Sequence, residues 1–99
     1  MILARNVYHV KFGQSHAAVA LLKEVTQKFM PEMRGMILTD LSGHNFTVVL
    51  EGEVESLAAW EQLRQAGYAM PEFAAWFERF SQVVETSYTE LYTIEYRQG

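Results

Sequence analysis

Two kinds of apolar periodicity take turns along this chain, and their order is what most narrows the folds open to it. From Ala4 to Phe12 the residues alternate, with Asn6, Tyr8, Val10 and Phe12 on one side and Arg5, Val7, His9 and Lys11 on the other, which is the two-residue period of a strand. Gly13 stops the run, and Ser15 stands where a side-chain oxygen can accept a hydrogen bond from the first turn of a helix. Ala18, Leu21, Leu22, Val25 and Phe29 then recur at spacings of three and four until Pro31, a single apolar stripe along a helix. Two short β-rich runs, Met33 to Leu41 and Phe46 to Glu53, flank Ser42-Gly43-His44-Asn45. That turn composition predicts an antiparallel hairpin.

The pattern then repeats. Ser56 can cap a second helix in which Leu57, Trp60 and Leu63 share a side, and Gly67 ends or kinks it. Pro71 suits the first position of another helical segment, since its missing amide hydrogen costs nothing there. Phe73, Trp76, Phe77 and Phe80 follow at i, i+3, i+4 and i+7, the clearest helical stripe in the chain. The last strand is predicted over Gln82 to Tyr96, with Tyr88, Tyr92, Ile94 and Tyr96 on one face. Extended at about 3.3 Å per residue, that segment would reach roughly 50 Å, against a radius of gyration of about 13 Å for a compact domain of this length. It is therefore bulged and bent, or it leaves its own subunit.

The order β-α-β-β-α-β is the split βαβ unit of ferredoxin-like folds. It predicts one α+β domain over residues 1–99, with a four-stranded antiparallel sheet and the helices on one face. A bare second face should carry polar residues if it meets water. Here Met36 and Leu38 oppose Ile37 and Leu41, Val49 opposes Phe46, Val48 and Leu50, and Val7 opposes Tyr8 and Val10, so both faces read as largely apolar. Such surface is an association or aggregation site, and a two-fold pair covers it with a closed contact. A homodimer is expected.

Charge and composition exclude several classes. Residues 1–50 carry five Lys/Arg against three Asp/Glu, and residues 51–99 carry three against nine. No basic cluster is available to neutralise a phosphate backbone, which argues against nucleic acid and against anionic membranes. The longest apolar run, Ala17 to Leu22, is far short of the roughly 20 residues of a membrane-spanning helix. Arg5 and Asn6 interrupt the apolar start before it resembles a signal peptide, so a cytoplasmic location is expected. The absence of cysteine rules out a disulfide framework, thiolate metal ligation and a cysteine nucleophile. His9, His16 and His44 fall in no metal-ligand spacing, and no phosphate loop or nucleophile elbow is present.

Asn6-Val7-Tyr8-His9-Val10-Lys11-Phe12-Gly13 leading into a helix, the central hairpin, Leu57-Ala58-Ala59-Trp60 and the tyrosine-rich last strand together resemble the dimeric α/β-barrel superfamily. The groups it is most similar to are the antibiotic-biosynthesis-monooxygenase-like and NIPSNAP-like proteins. The resemblance covers nearly the whole chain and is one of layout. It implies that two sheets pair into a barrel and that a cleft between each sheet and its helices binds a small, often aromatic ligand. In haem-degrading members an Asn on the first strand, a Trp on the second helix and a later His serve the haem. Asn6 and Trp60 match, but Trp76 stands where the His would be, so no cofactor is expected by that route. Other members are cofactor-free oxygenases in which the anion of an electron-rich phenol itself reacts with oxygen.

That chemistry asks for an apolar slot and a hydrogen-bond donor to a developing oxyanion. Asn6 is the candidate donor and Trp60 the candidate wall, with Tyr8, His9, Phe46 and Trp76 as candidate ligand contacts and His9 as a candidate base if its face lines a cavity. Each has a plainer role: Asn6 as an edge hydrogen bond, the tryptophans as core. Glu51, Glu53 and Glu55 alternate like a carboxylate cluster but read as a solvated edge that discourages stray strand pairing. Two functions follow from the sequence: a small-ligand barrel dimer with cofactor-independent monooxygenase chemistry, or a non-catalytic protein whose sheet face serves assembly.

Overall fold

A computed structural model describes all residues, 1–99. The elements are β1 (Ile2–Val10), α1 (Ser15–Phe29), β2 (Arg34–Thr39), β3 (Thr47–Val54), α2 (Leu57–Tyr68), α3 (Phe73–Ser81) and β4 (Val84–Thr93). The four strands form one antiparallel sheet in the order β2-β3-β1-β4, the ferredoxin-like α+β arrangement. No helix is long and apolar enough to cross a membrane.

The α1 stripe is buried at Ala18, Leu22, Val25 and Phe29. It meets Val10, Val48 and Leu50 from the sheet and Trp76 and Phe80 from α3 in one core cluster. Full burial of each large apolar side chain contributes about 1.5–3 kcal/mol, so this three-way junction fixes the helices to one face. Ser56 caps α2 by accepting from the Ala59 amide at 3.1 Å.

Several boundaries differ from the sequence reading. Ser15 is the first helical residue of α1 rather than its cap; Gln14 occupies the cap with no side-chain bond. The cause is the turn before it, in which Gly13 adopts φ +78° and the Gln14 amide donates to the Lys11 carbonyl. Pro71 lies in a turn ahead of α3, because the Phe73 amide is bonded to the Met70 carbonyl and the helix ladder starts with Trp76 to Glu72. The last strand stops at Thr93. Ten residues at about 3.3 Å each span roughly 33 Å, within the 36 Å extent of the molecule, so β4 stays in its own subunit. A register shift opposite His9 and Val10 supplies the bulge, and Glu85 is the extra residue.

β3 is interior, which overturns the solvated-edge reading of its glutamates. Glu51 is 8% exposed and its Oε2 accepts from Arg5 Nε at 2.6 Å. Glu53 pairs with Arg97 of the C-terminal segment. The open sheet face is accordingly mixed. Val7 is buried there beside its neighbours Val49 and Tyr88. Met36, Leu38 and Tyr92 are exposed, and the Arg5–Glu51 pair lies among them.

Candidate functional site

A cavity of about 490 Å³ opens between the helix side of β1 and β4 and the helices α2 and α3, and 16 of its 24 lining residues are hydrophobic. Its size is that of a small-molecule pocket. Strand alternation puts Ala4, Asn6 and Tyr8 of β1 on this side, opposite Leu91, Thr89 and Ser87 of β4. Trp60, Arg64 and Tyr68 line it from α2 at intervals of four residues, and Phe73, Trp76 and Phe77 from α3.

Asn6 is held by its cross-strand partner: Thr89 Oγ1 donates to Asn6 Oδ1 at 2.8 Å. With its oxygen so engaged, the amide offers NH2 hydrogens as donors to the cleft. Tyr8 packs edge-on against Phe80, ring centroids 4.9 Å apart. Burial, with a smaller contribution from the nearby Tyr68, pushes its hydroxyl up to about 12. Tyr8 is therefore neutral at physiological pH and can serve as a donor but not as a phenolate base.

The α2 wall carries a cation. The Arg64 guanidinium stacks over Trp60 at 4.5 Å and Tyr68 at 5.4 Å, and it donates to Tyr68 Oη at 3.1 Å and Glu61 at 3.3 Å. The Tyr68 hydrogen bond chiefly raises its pKa further, so the charge is permanent. Trp76 is a structural wall. It is 5% exposed, stacks on Phe80 at 4.8 Å and spends its Nε1 hydrogen on the Leu21 carbonyl at 2.7 Å. Phe77 is 55% exposed and leaves the cleft open.

Asn6, Tyr8, Trp60 and Trp76 thus meet at one cavity, and two other candidates do not. His9 projects from the opposite, open face, where its Nδ1 is 3.2 Å from Thr47 Oγ1 and its ring is 4.1 Å from that of His44. It cannot act as a base in the cleft, nor ligate a haem iron there. Odd and even positions of a strand face opposite ways, and the helices cover the even ones. Phe46 lies before β3 with φ 58°, which breaks the alternation and turns it onto Phe12 at 4.6 Å. Sequence reasoning missed Arg64, Tyr68, Thr89 and the bulge residue Glu85, the carboxylate of the lining. The i, i+4, i+8 spacing of Trp60, Arg64 and Tyr68 was the available signal; Thr89 and Glu85 had none.

The lining holds no histidine, no group of three His, Cys, Asp or Glu side chains is placed to hold a metal, and the Trp76 ring nitrogen is already committed. These residues do not fit a haem iron held through a protein nitrogen.

No family model and no curated protein matches the sequence. Solved structures do match in fold. A NIPSNAP domain protein from Burkholderia xenovorans superposes with TM-score 0.83 at 15% identity, covering 95% of this chain and 94% of that one. SnoaB, a cofactor-independent oxygenase from Streptomyces nogalater, gives TM-score 0.71 at 18% identity over 99% and 94%. A putative antibiotic biosynthesis monooxygenase from Nitrosomonas europaea gives 0.70 at 15% over 97% and 100%. The chain therefore carries the α+β fold of the NIPSNAP-domain and antibiotic-biosynthesis-monooxygenase-like proteins.

Proposed function

We propose that this chain binds a small aromatic compound bearing an ionisable hydroxyl, and that it oxygenates this compound without a cofactor. The observation that carries the reading is the combination of an open, mainly hydrophobic cleft with a free Asn6 amide donor and the fixed Arg64 cation on one wall. An aromatic body gains by burial at about 25 cal/mol per Å². A phenolate oxygen gains from the neighbouring positive charge and from a donor aimed at it, which favours the ionised form. Tyr8 adds a neutral donor, and Glu85 is the cleft carboxylate available to receive the phenolic proton. A fold shared with SnoaB, described as a cofactor-independent oxygenase, is in keeping with substrate-anion chemistry.

We further propose that the working form is a homodimer joined through the open sheet faces. In the single chain Met36, Leu38, Tyr88 and Tyr92 are 58%, 40%, 50% and 44% exposed around the buried Val7. Oxygen uptake with a panel of hydroquinones and polyphenols tests the first proposal: turnover is expected, with a large loss in Asn6→Ala. No turnover by the unaltered protein, or turnover indifferent to Asn6→Ala, would sink it. Sedimentation tests the second, where a dimer that Leu38→Glu splits is expected and a concentration-independent 11.4 kDa species counts against it.

A further inference from the structure

A second, more open depression of about 530 Å³, with four hydrophobic residues among its nine, adjoins the α1–β2 connection and is lined by Lys23, Thr26, Gln27, Gly35 and Ile37 among others. It shares Met30, Met33 and Leu50 with the cleft. Those three side chains are the partition between the two spaces, and they differ in how firmly they are held. Leu50 is 2% exposed within the core cluster. Met30 closes α1, its backbone amide donating a hydrogen bond to the Thr26 carbonyl. Met33 sits outside any helix or strand, half-buried, in the turn between α1 and β2.

The place Met33 occupies is shaped for it. Gly35 and Gly52 face each other across β2 and β3, and Met33 lies over both. A Cβ added to Gly52 would fall on the thioether, with Met33 Cε at 2.7 Å; one added to Gly35 would stand 3.2 Å from the same methyl. An unbranched, three-torsion side chain thus fills a slot that two absent side chains leave. Methionine suits such gaps and leaves them at low conformational cost, since it has several accessible rotamers and no polar atom to satisfy.

We propose that Met33 is the specificity-determining residue that sets the length of the cleft, and that the ligand class is a phenol with an unbranched apolar tail. The tail displaces the thioether and runs past Gly52 and Gly35 toward the second depression. This rests on the ligand-binding reading above and adds the shape of the ligand to it. The partition makes branched or rigid extensions poor ligands, because only a chain as slender as the methionine it replaces fits between the strands and α1.

The test is the affinity of the full chain for para-alkylphenols from phenol to para-octylphenol, read by quenching of Trp60 and Trp76, which both line the cleft. Each methylene that finds room should tighten binding ~4-fold, until the tail reaches Met33; from there the burial lost by the displaced thioether offsets what the next methylenes gain, and the profile flattens. Met33→Ala removes three heavy atoms beyond Cβ and should extend the rising part by about three methylenes, so that the longest phenols gain on the order of 10–60-fold in affinity relative to phenol in the same protein. Met33→Leu, expected to fall between, serves if the alanine variant does not fold. A chain-length profile identical in all three proteins overturns the role of Met33 alone. No binding of any phenol to the unaltered chain overturns the ligand reading, and this one with it.

Discussion

Tyr8 offers the most quantitative test of the cleft's character, because its environment converts into a stability that depends on pH. Its hydroxyl is pushed up to about 12, chiefly by burial, against about 10 for an unfolded tyrosine. Below pH 10 the group is neutral in both states and the difference costs nothing. Between about pH 10 and 12 the unfolded chain ionises at this position and the folded one does not, so stability is lost across that window. At about pH 11 the loss is ~1 kcal/mol, one pH unit's worth, and it approaches ~3 kcal/mol above pH 12. Tyr8→Phe keeps the ring against Phe80 and removes the ionisation. Its melting temperature should match that of the parent at pH 8 and exceed it by roughly 4–8 °C at about pH 11, with the other four tyrosines and every other titrating group common to both proteins. Parallel melting curves across the whole range would show that Tyr8 is hydrated as in a peptide, and would remove the basis for treating it as a permanently neutral donor.

Further outcomes follow from the same geometry. Asn6→Ala should weaken binding of an ionised phenol ~10-fold or more, since a hydrogen bond to a charged group contributes ~1.5–3 kcal/mol; Thr89→Val, which only frees the amide to turn, should cost a few-fold, and both are read by titration calorimetry. Arg5→Ala leaves the 8%-exposed Glu51 without its partner and should destabilise by ~2–3 kcal/mol in urea unfolding, below the range for fully buried pairs because Arg5 is itself 39% exposed. Glu51→Gln should cost less, and equal effects would deny Glu51 its buried charge. Ser56→Ala removes the cap on α2 and should cost ~1 kcal/mol in the same assay.

Much of the architecture was legible in the chain because helix stripes, caps and turns are written within a few residues. The α1 and α3 stripes, the Ser56 cap and the hairpin register as local periodicity, and so does the opposition of Asn6 to His9 on β1. Which of those two faces the helices was not legible. Alternation separates odd from even positions but carries no sign, and the sign comes only when α1 and α3 settle on Val10, Val48 and Leu50. Ser15 and Pro71 were misplaced because the turns before α1 and α3 set where each helix starts, through the Gln14 amide donating to the Lys11 carbonyl and the Phe73 amide to the Met70 carbonyl.

Sequence by itself determined the element order, the apolar stripes and the absence of any thiol, because each is read from the residues themselves or from their neighbours along the chain. Tertiary structure decided that Glu51 is buried with Arg5, that Thr89 holds Asn6 from 83 residues away, that Glu85 bulges into the cleft and that Met33 fills the slot over Gly35 and Gly52. Each of these rests on strand order and on missing or matching side chains in remote segments, as when Gly52 on β3 leaves the space that Met33 before β2 fills, and no short window along the chain contains both.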